Sequence, residues 1–359
     1  MTTMPEAEVF VTLGIDTHKH THLAVGLDQL GRRLDELEIP STVAGFAQLY
    51  AWACELGTIE RVGIEGTGAY GAGLARWLQQ RGVTVVEVDR PDRRKRRNAG
   101  KSDAIDAEAA ARKVLAGDAT VTPKSGAGNV EMIRVLRIAR RSAVVSRGQV
   151  GNQLHAMTVT APTGLREQLE GRTTRARVKI AARFRPGEEP DTVLTATRYA
   201  MKKLALRYQA LDAEIKDLDR QLTRLVTATA PALIARPGIG IHTTATLLVT
   251  AGDNPDRLHS EAAFARLTGT APIPASSGQT DRYRLSRGGD RPANAALHLI
   301  AMNRLLCDPR SKAYVQKRTG GTKADLDTIR RLKRYTAREV YPLLLQALHA
   351  AEPDLTHAA

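Results

Sequence analysis

Two periods govern the apolar and polar positions of this chain, and the change from one to the other marks its organisation. From Val9 to about Ala116, short apolar runs alternate with amphipathic stretches. VFVTLGID reads as a strand, and HLAVGLDQLGRRLDELEIP predicts its hairpin partner, turned at Asp28 to Gly31. VAGFAQLYAWACELG has apolar residues at helical spacing. ERVGIEG and VTVVEVD predict further strands, separated by the helix GAGLARWLQQRG ending at Gly82. Together they predict a mixed α/β layer with one sheet.

After the connection TPKSGAGN the pattern turns helical. Val130 to Met157 is rich in arginine (Arg134, Arg137, Arg140, Arg141, Arg147), and a basic, less regular region follows, with turns at Pro162-Thr163-Gly164 and Pro186-Gly187. From Met201 the apolar positions (Leu204, Tyr208, Leu211, Ile215, Leu218, Leu222, Leu225) alternate steps of three and four, which predicts a coiled-coil seam. Its partner is either another subunit or the helix at 130 to 157. The narrowness of the seam points to a subunit.

The last third opens with APALIARPGIGIHTTATLLVTAGD, a helix-hairpin-helix pattern around Pro237-Gly238-Ile239-Gly240. Turn amides and a following helix N-terminus suit a phosphate, so Gly238 and Gly240 are candidate nucleic-acid contacts. Next come the helix SEAAFARLTG, the loop TAPIPASSGQTDRYRLSRGGDR, the helix ANAALHLIAMNRLLC and a closing basic helical segment. The expected parts are thus an α/β domain at 1–122, a helical and coiled-coil region at 123–230, and a mainly α domain at 231–359.

Charge changes the picture. The chain has 359 residues and a formal net charge of +15, which points to nucleic acid as partner. Aromatics are only 4% of the residues, which favours recognition by charge and backbone shape over base stacking. Two cysteines, Cys54 and Cys307, exclude a disulfide framework and a zinc site of the usual kind, and fit a reducing cytosol. MTTMPEAEVF lacks the pattern of a signal peptide, and no apolar run reaches the roughly 18 residues a membrane span needs. A cytoplasmic, nucleoid-associated protein with no membrane partner is expected.

Four carboxylates carry the candidate chemistry: Asp16 and Glu65, each ending a β-type run, and Asp103 and Asp106 at the start of an alanine-rich helix. Strand ends and a helix can converge, and carboxylate oxygens are the ligands that hard cations such as Mg²⁺ prefer. Asp103 and Asp106 share a helix face, although acids in a first turn are also common as helix-terminal charges. The run Arg93, Arg94, Lys95, Arg96, Arg97, with Lys101 beyond it, lies between carboxylate-bearing elements and suits phosphate. His18, His20 and His22 alternate after Asp16. On an extended segment they would face one side and invite zinc, but Asp16 assigns this edge to hard-metal chemistry.

Read in order, GIDTHK, IEGTGAY, KSDAIDA, RPGIG, GTAPIPASSG and SRGGDR give a chain that resembles the transposases of the insertion sequence 110 family, the DEDD transposases. The resemblance covers nearly the whole chain. It implies a RuvC-like (RNase H-like) N-terminal domain and a recombinase that excises and inserts DNA, guided by a bridge RNA that pairs with donor and target DNA. It implies Mg²⁺ held by Asp16, Glu65, Asp103 and Asp106, and a nucleophilic serine that links covalently to DNA. That serine is Ser277, directly before Gly278, with Ser276 as its neighbour; Arg287 in SRGGDR is a further nucleic-acid candidate. Strand exchange needs at least two active sites, so a dimer or tetramer is expected. Two rivals remain: a RuvC-like, structure-selective endonuclease using water, and a non-catalytic nucleic-acid-binding protein.

Overall fold

The computed structural model describes residues 8–89, 102–126, 128–187, 189–278, 283–284, 286, 288–321 and 323–350. These form two compact units, one within Met1–Ala127 plus Ala251–His259, the other within Gly128–Thr250 plus Ser260–Ala359.

In the first unit, β1 (Phe10–Thr17), β2 (Thr21–Leu27), β3 (Arg33–Pro40), β4 (Thr58–Glu65) and β5 (Val85–Val88) form a five-stranded sheet ordered β3-β2-β1-β4-β5. The predicted hairpin is present: β1, β2 and β3 are antiparallel neighbours, and Asp28 Oδ1 closes the β2–β3 turn by accepting from the Leu30 and Arg32 amides. β1, β4 and β5 run parallel. Helices α1 (Val43–Leu56) and α2 (Ala72–Gln79) cover one face, packing Phe46, Leu49, Leu74 and Leu78 on Val11, Leu13, Ile15, Val62 and Ile64. On the other face lies α3 (Asp103–Leu115), whose Ala107, Ala110, Ala111 and Val114 meet Val25, Leu27, Val86 and Val88. Alternation along each strand serves both layers. Residues 251–259 are tied in where Asp253 accepts from the Ser125 and Gly126 amides at 2.9 and 2.6 Å.

The second unit is helical. Its long helices α4 (Gly128–Val159) and α7 (Val193–Thr229) pack against one another. Within the chain the helix of the heptad seam packs on α4: Leu154 and Met157 of α4 pack with Met201, Ala205 and Tyr208 of α7. Arg140 and Arg147 of α4 pair with Asp219 and Asp212 of α7. Two of the five arginines noted in this helix therefore have a structural role.

The region expected to be irregular is instead helical. Residues Thr163–Leu169 form α5 and Thr174–Ala181 form α6, the latter capped by Thr173, which accepts from the Ala176 amide. Leu165, Leu169, Val178 and Ala181 join the α4–α7 core. Basic surface positions masked a short apolar stripe in both. The short helix α8 (Pro231–Ile234), α9 (Ile241–Ala251), α10 (Glu261–Leu267), α11 (Arg291–Cys307), α12 (Pro309–Thr319) and α13 (Leu326–Ala350) follow, with two-residue strands β6 (Ile273–Pro274) and β7 (Tyr283–Arg284) between α10 and α11. Among the described residues, no helix is long and apolar enough to cross a membrane.

Candidate active site

Asp16 and Glu65 stand side by side at one edge of the first unit's sheet. Ile15 of β1 is in register with Ile64 of β4, so the acids that follow occupy equivalent places on neighbouring parallel strands and share a face. Gly14 and Gly63 are also in register, two residues before each acid and on that same face. The glycines explain the approach of α3. A Cβ on Gly14 would stand 2.0 Å from the Ala107 carbonyl oxygen, and one on Gly63 would stand 2.6 Å from a Val114 methyl. With no side chain at either position, α3 lies directly on the strands. Its buried stripe, Asp106, Ala107, Ala110, Ala111 and Val114, begins with an acid at the height of the strand ends.

Ser102 caps α3, its side chain accepting from the Ile105 amide, so neither Asp103 nor Asp106 is the cap. Asp16, Glu65 and Asp106 are 8%, 7% and 8% exposed, while Asp103 faces solvent. Three buried carboxylates in an otherwise apolar layer are costly unless something neutralises them. Burial raises the Asp16 carboxyl above its ordinary value; His18 opposes the rise, and Asp103 and Asp106 add to it.

His18 was not among the expected site residues, yet it reaches both a strand acid and a helix acid. Its Nε2 lies 3.4 Å from Asp16 Oδ2 and 3.1 Å from Asp103 Oδ2. Asp16, His18 and Asp103 each offer one ligand atom within 4.8 Å of the others, a set able to hold a metal ion. The three histidines do not share one side, because the chain reverses between β1 and β2. His22, in register with Thr17, is buried on the opposite face and stacks on Phe46 at 5.9 Å between centroids.

Ser277 is exposed in the second unit, in the loop after β6, and is followed by Gly278 at φ +59°. The serine and the acids thus belong to different units. Gly238, at φ +74°, packs on α11, where a Cβ would meet Arg304 Cγ at 2.9 Å and the Ile300 carbonyl oxygen at 3.1 Å. Arg304 Nε donates to the Pro237 carbonyl at 3.0 Å. Glycine is therefore required at 238 by packing alone, while the Gly240 amide, at the start of α9, donates to Thr243 Oγ1. Arg93, Arg94, Lys95, Arg96, Arg97, Lys101 and Arg287 lie outside the described residues.

A five-stranded mixed sheet with acids gathered at one edge, followed by a mostly helical remainder, fits a DEDD or RuvC-like domain. Comparison with known proteins agrees. The model of the DEDD transposases of IS110 elements, described as "Transposase", matches residues 13–160, and that described as "Transposase IS116/IS110/IS902 family" matches residues 230–316. The chain belongs to the IS110 family of transposases. The "Insertion element IS110 uncharacterized 43.6 kDa protein" of Streptomyces coelicolor is 31% identical over 144 residues, which are 39% of this chain and 35% of that protein. The aligned part thus spans about a third of that relative's length.

Proposed function

We propose that this chain is a DNA recombinase that excises and inserts its element through metal-assisted attack of Ser277 on DNA phosphodiesters. The observation that carries the reading is the convergence of Asp16, Glu65 and the α3 acids at one sheet edge. Asp16, His18 and Asp103 offer ligand atoms close enough together for one cation, and with the buried carboxylates of Glu65 and Asp106 nearby a hard cation such as Mg²⁺ would be held by Asp16, Glu65, Asp103 and Asp106. A bound cation of that kind neutralises charge on a scissile phosphate. The chain's own residues do the rest. Gly14 and Gly63 fix the distance between helix and sheet, and His18 orients Asp16 and Asp103. Ser277 supplies the hydroxyl and a carboxylate base takes its proton; as the Ser277 Oγ–P bond forms, the scissile P–O bond to one deoxyribose breaks and the leaving oxygen takes up a proton to become a free hydroxyl. The phosphoserine link preserves the phosphodiester's energy, so strands are rejoined without ATP.

The family resemblance supports the remaining parts. A bridge RNA pairs with donor and target DNA, and Arg287 of SRGGDR contacts nucleic acid; charge, rather than the resemblance, supports backbone contacts by the basic run at 93–97 with Lys101 and by the Gly238–Gly240 turn. The division of labour is a RuvC-like domain at 1–122, a helical region at 123–230 and the serine-bearing domain at 231–359. Two or four copies act together in the cytoplasm, on the nucleoid.

A strand-joining assay tests this. Donor and target DNA, the element's non-coding RNA, Mg²⁺ and protein should give joined product, abolished by EDTA and by Asp106→Ala in a protein that still folds. Joining that persists in Asp106→Ala would refute the assignment of the acids.

A further inference from the structure

The second unit has a half-open cleft of about 450 Å³ beside the β6–β7 strap, within the range of about 300–1,000 Å³ usual for small-molecule sites. Its walls carry five cations, Arg284 from β7 and Arg330, Arg331, Lys333 and Arg334 from α13, against one carboxylate, Asp327. Part of this charge is already matched. Asp327 pairs with Arg331 and Arg318 at 3.0 and 2.8 Å, and Arg334 pairs with Glu261 of α10. Arg284, Arg330 and Lys333 have no carboxylate within ion-pair distance among the described residues.

Lys333 is the telling member. It is 7% exposed, and its ammonium donates to one neutral acceptor, Asn294 Oδ1, at 2.6 Å. Asn294 is itself fixed by donating to the Thr268 and Gly269 carbonyls. An ammonium has three donors, and a buried cation without a counter-ion is a standing cost that an incoming anion would relieve. Burial first, and Arg330 second, lower the Lys333 ammonium's pKa. The rings of Tyr283 and Tyr335 line the same cavity and are exposed, Tyr335 braced edge-on by Tyr314 at 5.6 Å.

We propose that this cavity holds one nucleotide of a single DNA strand, its phosphate on Lys333, Arg330 and Arg284 and its base against Tyr283. The site lies at the foot of the loop that carries Ser277, so it would grip the strand next to the bond under attack. That the strand is DNA rests on the recombinase reading above; that the cavity takes a nucleotide rests on its charge and its rings.

The test uses the full chain carrying Ser277→Ala, with EDTA present, so that no chemistry occurs and its outcome is independent of the serine mechanism. Binding of a fluorescent single-stranded oligodeoxynucleotide is followed by anisotropy across a salt series. Arg330→Ala and Arg284→Ala, both at exposed positions, should each weaken binding about fivefold or more and reduce the salt slope by ~0.7. Lys333→Met should weaken binding while raising the thermal stability of the free protein, a combination that a purely structural lysine would not give. Unchanged affinity and slope in Arg330→Ala and Arg284→Ala would overturn the site. Losses confined to an oligoribonucleotide of the same sequence would overturn its assignment to DNA.

Discussion

Gly14 of β1 and Ala107 of α3 approach so closely that a Cβ on residue 14 would stand 2.0 Å from the Ala107 carbonyl oxygen. Gly14→Ala must therefore push α3 away from the sheet, and Asp106 with it. The expected cost is about 3 kcal/mol of stability, the upper end of overpacking effects. Strand joining should fall about a hundredfold or more from the displaced acid. Thermal melting and the joining assay check the two separately. A variant as stable and active as the parent would show that helix and sheet have room to spare.

Asp16 trades stability for chemistry. Its folded carboxyl lies above the ordinary value because burial and the acids of α3 disfavour the charged form. Its ionisation therefore destabilises the fold increasingly as pH rises through the folded value. Asp16→Asn should raise the melting temperature of the metal-free protein at neutral pH by about 3 °C and abolish joining. Melting in EDTA measures the first effect. Added Mg²⁺ should stabilise the parent and leave the variant unmoved.

His22 gives the first unit an acid-sensitive point. Burial holds its imidazole below the ordinary value of 6.5, the Thr21 backbone pulling the other way and His18 adding slightly to the depression. With the folded value depressed, its contribution is intact above pH 6.5 and is lost as pH falls toward the folded value, where the unfolded chain takes up the proton first. Melting temperature followed from pH 8 to pH 5 should decline below about pH 6.5 in the parent. In His22→Leu that part of the decline should be absent.

Arg304 fastens the hairpin turn to two helices, donating to the Pro237 carbonyl and to both carboxylate oxygens of Glu339 on α13 at 2.7 and 3.1 Å. Arg304→Ala should destabilise the second unit by at least about 2 kcal/mol in urea unfolding, because charged hydrogen bonds from a buried side chain are lost together. Glu339→Gln keeps a neutral partner and should cost less.

How much of this was legible in the sequence follows from what kind of pattern each feature leaves. Strands, α3 and the placing of Asp16 and Glu65 at strand ends were readable because apolar alternation and a capped alanine-rich stretch are local signals. The repeated Gly-Ile-acid in LGID and VGIE was also visible; its meaning was not, since the close approach of α3 is a long-range fact. His18 was read as part of an alternating triplet, and only the reversal between β1 and β2 separates it from His22. The seam on α7 specified a partner's shape without its identity. In α5 and α6, basic residues outweighed apolar positions too few to register as a period. The Lys333 cavity left no trace, because its walls come from β7 and α13, far apart along the chain.

The central claim, that Ser277 attacks DNA with the help of the clustered acids, is tested most directly by looking for the bond it would form. Protein, Mg²⁺, the element's RNA and end-labelled donor and target DNA are combined, quenched in denaturant and resolved on a denaturing gel. The account predicts a labelled protein–DNA adduct that disappears in both Ser277→Ala and Asp16→Ala. Nicked DNA with no adduct, formed equally well by Ser277→Ala, would contradict it and identify water as the nucleophile.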